Sequence, residues 1–350
     1  MRIASVLRMK YQLEVLGTAT LESCPSVILH FDSQSYLFNV GEGTQRSCTQ
    51  NKIRLGKIQN IFLTRMHWDC IGGFLGMSLT LHDVVDQHIQ VFGPSGLIEF
   101  INSTSSFIKN MNRSYVECDS NQQSLKQDEN INLSTIVLSA AELKQDLGKR
   151  KGYDSAPCYN PTSISYLIRG PERKGKFDPR AAMQLGLKPG PLFKRLVAGE
   201  TLILENGTQI LPSQCMSPST PGPAFLIVDC PSLAFVPDVI TKLSKSTCLT
   251  DSEQMALIVH MIGSDVLHDP NYKAWMREFG DDTHHIIISP DLCNQEITFT
   301  SFHAIQEILS QLDSKVFKPG YYSHSPKLEI TEGTFFETLN DKWKDYLKRQ

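Results

Sequence analysis

No apolar run in this 350-residue chain approaches the ~18 residues that cross a bilayer. The longest runs, 224–228 and 255–259, are strand-sized, so no membrane partner is expected. The nine cysteines are odd in number, scattered and free of any C-x-x-C pair, which argues against a disulfide scaffold and for a reducing intracellular compartment. No segment repeats at a fixed period, so solenoids and propellers are excluded. Positive charge is not in surplus: 34 Lys and Arg stand against 37 Asp and Glu, a net charge of −3. Any contact with nucleic acid must therefore come from a local basic patch, not from the field of the whole molecule. No full secretory signal is expected, because Arg2, Arg8 and Lys10 lead almost at once into an alternating strand pattern. What is present is ordinary globular material: 41% apolar and 20% charged residues, with 22 Gly and 18 Pro, enough for one large domain or two smaller ones.

Short β-rich runs at 11–16, 26–31, 35–40 and 58–64 alternate with turn chemistry, and Asp32, Ser33 and Gln34 form the expected hairpin turn. The small-residue run from Gly72 opens an apolar segment to Leu81 that fits a helix packed on a sheet. A strand over 89–92 then meets Gly93, Pro94 and Ser95, with Ser95 the expected cap of a helix over 96–109. Sheet and helix alternate, which argues for α/β layers. The polar stretch 119–129 reads as a solvated loop. Strands return at 163–168, 224–228, 256–259 and 286–288, and helical spacing marks 272–279 and 302–312.

Between Glu172 and Val197 the chain carries seven Lys or Arg against two acids. A helix over 178–185 leads into the stiff turn Gly186-Leu187-Lys188-Pro189-Gly190-Pro191. Arg173, Lys174, Lys176, Arg180, Lys188, Lys194 and Arg195 suit phosphate oxygens, and Phe177 and Phe193 offer stacking faces.

Two further segments are more specific. Leu37-Phe38-Asn39-Val40-Gly41-Glu42-Gly43-Thr44-Gln45-Arg46 and Thr64-Arg65-Met66-His67-Trp68-Asp69-Cys70-Ile71-Gly72-Gly73 resemble, without gaps, the paired motifs of the metallo-β-lactamase fold as found in the ribonuclease Z family of tRNA 3′-trimming endonucleases. The family's metal motif is T-H-x-H-x-D-H-x-x-G. Here Arg65 stands at its first His, Cys70 at its last and Asn39 at the Asp of the other segment, while His67 and Asp69 remain. Asp229, ending the run 225–229, resembles the family's metal-bridging Asp, and His260 lies on a strand resembling one that ends near the site. A hydrolytic dizinc site needs imidazoles and carboxylates at these positions, and a permanently protonated guanidinium repels the cation it replaces. The expectation is that Arg65 pairs with Asp69 and Asp229, that no metal is held and that no residue here is catalytic.

The basic stretch likewise resembles the family's tRNA-gripping exosite arm, including Pro189, Gly190 and Pro191. An arm retained beside a degenerate metal site is similar to the amino half of the family's long form. The resemblance implies an α/β fold, a metallo-β-lactamase-like αββα sandwich over 1–320 with an inserted arm at 170–222, followed by a connector or tail at 321–350 whose residues 331–350 read as a polar helix or connector. It implies precursor tRNA as partner and zinc only in a homologous catalytic half or subunit. Nucleus, mitochondrion or cytosol is the expected location. Two alternatives stand beside this: a structural stabiliser of a catalytic partner without RNA contact, and an active hydrolase with an unusual site built from His67, Asp69, Cys70, Asp229 and His260.

Overall fold

The computed structural model describes residues 2–3, 11–20, 22–84, 88–106, 112–140, 162–172, 175, 177–187, 190–197, 199, 201–203, 209–217, 219–250, 252–293 and 298–317. One seven-stranded sheet runs in chain order through β1 (Arg2–Ile3), β2 (Gln12–Gly17), β3 (Ser26–His30), β4 (Ser35–Phe38), β5 (Ile58–Phe62), β6 (Ile89–Gly93) and β7 (Arg113–Glu117). Its first four strands pair antiparallel, with the expected turn joining β3 to β4, and its last four pair parallel. The second sheet holds β8 (Gln122–Gln127), β9 (Asn132–Ser139), β10 (Thr162–Arg169), β13 (Ala224–Cys230), β14 (Met255–Ile262) and β15 (His284–Ile288), in the order β15-β14-β13-β10-β9-β8. A short ribbon of β11 (Leu202–Ile203) and β12 (Gln209–Ile210) stands apart.

The helices are α1 (Thr44–Gln50), α2 (Trp68–Ile71), α3 (Phe74–Val84), α4 (Leu97–Thr104), α5 (Pro179–Gln184), α6 (Pro191–Val197), α7 (Pro212–Cys215), α8 (Val236–Lys242), α9 (Lys245–Cys248), α10 (Pro270–Arg277), α11 (Pro290–Cys293) and α12 (Thr300–Leu312).

The central strands are apolar on both faces, and their side-chain period of two sorts them into layers. Phe225 and Ile227 of β13 and Leu257, Val259 and Met261 of β14 meet Val27, Leu29, Tyr36, Phe38 and Phe62 between the sheets. The alternate residues Leu226, Val228, Ile258 and Ile262 pack instead under Val236, Val239, Tyr272 and Trp275 of α8 and α10. On the far side, Ile28, Leu37 and Ile61 pack under Phe74, Met77, Leu81 and Leu97 of α3 and α4. Helix, sheet, sheet and helix therefore stack in that order.

Two expectations need correction. The polar stretch 119–129 contains the strand β8, which among the described residues pairs with β9 alone and has a register shift. As an outermost strand it buries little, so its sequence carries no apolar alternation. Ser95 does not cap α4: its hydroxyl bonds Asp119, while Glu117 Oε1 accepts from the Gly96 and Ile98 amides at 3.0 and 2.9 Å. A carboxylate reaching in from the neighbouring strand satisfies the helix end instead. The last residues of the helix expected over 96–109, from 107 on, lie outside the described residues, as do residues 321–350.

One polar lock joins the sheets. The buried Tyr36 hydroxyl donates to Asp128, lying 2.9 and 2.8 Å from its two carboxylate oxygens, and Asp128 also accepts from the Asn130 and Ile131 amides at 2.9 and 3.1 Å. Burial is the main reason the phenol's pKa is raised, so it stays a donor. Tyr36→Phe is expected to cost about 1–3 kcal/mol of unfolding free energy, read by urea denaturation.

Candidate functional site

The parallel strands β4, β5, β13 and β14 deliver their carboxyl ends to one place, as open α/β sheets do at their binding crevices. Asn39, just past β4, adopts φ +60°, the left-handed region that Asn tolerates better than most residues. Its buried amide accepts from the Thr64 backbone N–H (2.9 Å) and donates to the Thr64 hydroxyl (3.0 Å). The Thr64 hydroxyl in turn bonds Asp229 Oδ2, and Ser163 Oγ donates to the Asp229 carbonyl at 2.7 Å. The loops between these strand ends lie almost in contact. A Cβ on Gly73 would stand 2.2 Å from the Gly41 carbonyl oxygen, and one on Gly41 would stand 2.1 Å from that of Asp69. Only glycine fits at either position.

Arg65 fills the middle of this pocket. Its Nε lies 2.8 Å from Asp229 Oδ2, with the Arg65 side chain 18% and that of Asp229 1% exposed. Burial works against the guanidinium charge, but the Asp229 carboxylate, with Cys70 and Asp69 nearby, more than offsets it and raises the Arg65 pKa. Cys70 Sγ lies 3.8 Å from the same carboxylate oxygen. Burial pushes its thiol up to about 12, so it remains a neutral SH and not a thiolate ligand.

The expected pairing of Arg65 therefore holds for Asp229 but not for Asp69. Asp69 pairs instead with His67, whose Nδ1 lies 3.0 Å from the carboxylate. That hydrogen bond is the main reason the Asp69 carboxyl titrates below its ordinary range. Both side chains are about half exposed. His260 lies apart. On β14 it shares the helix-facing side with Ile258 and Ile262, while Met261, in register with Asp229, faces the other sheet. Its Nδ1 meets the Tyr272 hydroxyl at 2.7 Å and its Nε2 meets His285 Nδ1 at 2.8 Å. His260 therefore lies on the face of β14 opposite to Met261, the residue in register with Asp229. Among the described residues no group of three or more His, Cys, Asp or Glu is placed to hold a metal ion. The donor set does not fit zinc: one carboxylate is bound to a guanidinium, the thiol is protonated and both nitrogens of the inner imidazole have partners.

The arm leaves and rejoins the body at a neck where the Gly170 amide donates to the Pro223 carbonyl at 2.9 Å, next to the paired ends of β10 and β13. It has a small core of its own, in which Ala182, Leu187, Leu196, Leu202, Ile210 and Cys215 are buried. Asp178 caps α5 by accepting from the Arg180 amide at 2.9 Å, and Gly186 at φ +90° ends the helix with the left-handed residue that turn requires. Arg180, Lys194 and Arg195 are exposed. Phe193 is only half-exposed and packs on Phe177, ring centres 5.0 Å apart. The two rings brace the arm's core and spend much of their surface on each other. Gly190 and α6, which begins at Pro191, follow the expected turn, whereas Arg173, Lys174, Lys176, Lys188 and Pro189 lie outside the described residues. Sequence reasoning did not single out the Thr64 and Ser163 hydroxyls as partners of Asp229, nor Tyr272 and His285 as partners of His260, since a lone hydroxyl or imidazole carries no pattern.

A family model described as tRNase Z endonuclease matches residues 14–73. The chain is 33% identical over 347 residues to tRNAse Z TRZ4, mitochondrial, of Arabidopsis thaliana, an alignment covering 89% of this chain and 36% of that protein. It is 28% identical over 321 residues to Ribonuclease Z, mitochondrial, of Drosophila melanogaster, covering 90% and 40%. Among solved structures, a long form RNase Z from yeast superposes with a TM-score of 0.61 at 17% identity, covering 87% of this chain and 40% of that one. At that identity the likeness concerns the fold, which is the expected metallo-β-lactamase sandwich. The chain spans only 36% and 40% of the two curated relatives' lengths.

Two outcomes are expected. Arg65→Met strands the buried Asp229 carboxylate and should cost about 3–5 kcal/mol, most of which Arg65→Met with Asp229→Asn should restore in a double-mutant cycle. Burial, with His284 nearby, lowers the His285 pKa to about 4, and burial followed by His285 lowers that of His260 well below its ordinary value. Both imidazoles are therefore neutral in the fold and take up protons on unfolding, so their contribution is complete above the unfolded value of 6.5 and is lost as pH falls from there toward 4. Denaturation midpoints should drop across that window, and His285→Gln should flatten the drop.

Proposed function

The chain belongs to the tRNase Z family, and from that premise we propose that it is the family's non-catalytic amino half, which holds precursor tRNA through its arm. Cutting is then the task of a homologous carboxyl half or subunit that carries the zinc. One observation carries this reading: the Arg65 guanidinium lies on Asp229 in the pocket that the family's motif assigns to metal ligands, while a separately braced arm displays Arg180, Lys194 and Arg195 to solvent. Grip and cleavage need different chemistry. A phosphate backbone is held by clustered cations at long range from the scissile bond, and binding energy gathered there positions the substrate for a reaction elsewhere. A divalent ion supplies hydroxide at neutral pH by lowering the pKa of its bound water, and the pocket here presents such an ion with a fixed positive charge.

The arm residues proposed for tRNA are Arg173, Lys174, Lys176, Arg180, Lys188, Lys194 and Arg195, together with Pro189, Gly190 and Pro191 of the stiff turn and Phe193, whose amide bonds the Gly190 carbonyl at 3.1 Å. A mitochondrial setting is proposed on the names of the Arabidopsis and Drosophila relatives, and a nuclear one on the same chemistry of tRNA maturation. Resemblance to the tRNase Z family, together with the arm's surface charge, favours an RNA-holding role over that of a stabiliser without RNA contact.

Lys194→Ala with Arg195→Ala should weaken binding of a precursor tRNA and flatten the slope of log K against log salt by about one unit for each phosphate contact removed. An unchanged slope, with association to a catalytic partner retained, would point to the stabiliser instead. A labelled precursor tRNA incubated with this chain alone should stay intact. Release of the 3′ trailer that stops on adding chelator would overturn the proposal.

A further inference from the structure

The outgoing and returning legs of the arm touch each other beyond the neck. Ser219 Oγ donates to Glu172 Oε1, Phe177 and Met216 form an antiparallel bridge, and the Asp178 amide donates to the Cys215 carbonyl at 2.8 Å. The approach is closest at Gly175, where a Cβ would stand 1.6 Å from the Ser217 carbonyl oxygen and 3.0 Å from its hydroxyl. The Ser217 hydroxyl therefore lies against the leg that opens the arm's cationic stretch.

The returning leg carries chemistry of its own. In Met216-Ser217-Pro218-Ser219-Thr220-Pro221-Gly222-Pro223 a hydroxyl residue stands directly before a proline twice. Proline disfavours the helical region for the residue before it, which keeps Ser217 and Thr220 in extended chain. No helix covers the described residues between Cys215 and Ala224, and Ser217, Ser219 and Thr220 are all exposed. Ser-Pro occurs at two further places, Ser289 and Ser325. Ser289 is 0% exposed, and Ser325 lies outside the described residues. An exposed hydroxyl on extended chain, with proline next to it, is the form in which a proline-directed protein kinase takes its acceptor.

Charge decides what a phosphate at these positions does. From Glu172 to Val197 seven Lys or Arg stand against two acids, a surplus of five. Each phosphoryl group brings about −1.5 to −2 at pH 7, so two of them offset about three to four of those five charges. Because the Ser217 hydroxyl already touches the outgoing leg at Gly175, the added charge falls within a Debye length of that stretch, ~10 Å at 0.1 M salt. An RNA backbone approaching the arm then meets like charge where it had met cations.

We propose that Ser217 and Thr220 are acceptor sites for a proline-directed protein kinase and that their phosphorylation releases RNA from the arm. In each transfer the hydroxyl oxygen bonds to the γ-phosphorus of ATP, the bond from that phosphorus to the β–γ bridging oxygen breaks, ADP leaves and the hydroxyl proton passes to the kinase's base. The acceptor sites stand on the geometry of the leg, and their effect on RNA rests on the arm-holding role proposed above.

The full-length chain carrying Ser325→Ala, treated with a proline-directed kinase and magnesium ATP, should gain up to two phosphates, located by mass spectrometry in the peptide that holds Ser217 and Thr220. Adding Ser217→Ala and Thr220→Ala should abolish that gain. No phosphate in this peptide would overturn the acceptor assignment. The phosphorylated chain should bind precursor tRNA about tenfold more weakly than the same sample after phosphatase, with a slope of log K against log salt shallower by about two units. The unphosphorylated alanine variant should bind as the parent does. Two phosphates in place with affinity and slope unchanged would overturn the release. Salt-dependent binding by the unmodified chain tests the arm-holding role separately, so a failure of that role is told apart from a failure of this one.

Discussion

The ion pair between Arg65 and Asp229 constrains everything around it. A carboxylate 1% exposed cannot remain charged at the end of a buried strand without a counter-charge. In a metal-dependent site that role falls to a cation bound from solution. Here the chain supplies its own, covalently and permanently. The surrounding contacts follow: Asn39 in a left-handed turn to hold Thr64, Thr64 turned onto the same carboxylate, and Cys70 kept neutral beside it. His67 and Asp69, not drawn into this pair, bond each other at the surface.

The same division appears at the scale of the fold. The two facing sheets share one buried layer, and the segment between β10 and β13 has a small buried cluster of its own, with the Gly170 amide bonded to the Pro223 carbonyl where it leaves and rejoins those strands. A part that folds on its own core can keep its surface chemistry while the pocket changes. The proposed tRNA-holding role rests on that independence: charge on the arm needs shape and exposure, not the ions that phosphodiester cleavage requires.

How much of this was legible depended on whether the sequence had a period to read. β13 and β14, apolar on both faces, stood out as runs, and the glycine-rich pair of motifs placed Gly41 and Gly73 where two loops nearly touch. α12 announced its amphipathic spacing, but not which face it turns inward, because that is decided by Glu22 and His303, 281 positions apart. β8 was hidden because an edge strand needs little apolar surface. The pairing of Arg65 with Asp229 was anticipated from charge, whereas Asp69 was assigned to Arg65 when it faces His67 two residues away. The distance of His260 from the pocket followed from strand parity, which becomes readable only once the register with β13 is known.

The central claim is that a built-in guanidinium takes the place of the metal. Elemental analysis of the purified chain after equilibration with zinc tests it most directly. The account predicts a zinc content far below one ion per chain, unchanged between the parent and a His67→Ala variant. One or two zinc ions per chain, lost on replacing His67 or Asp229, would contradict it.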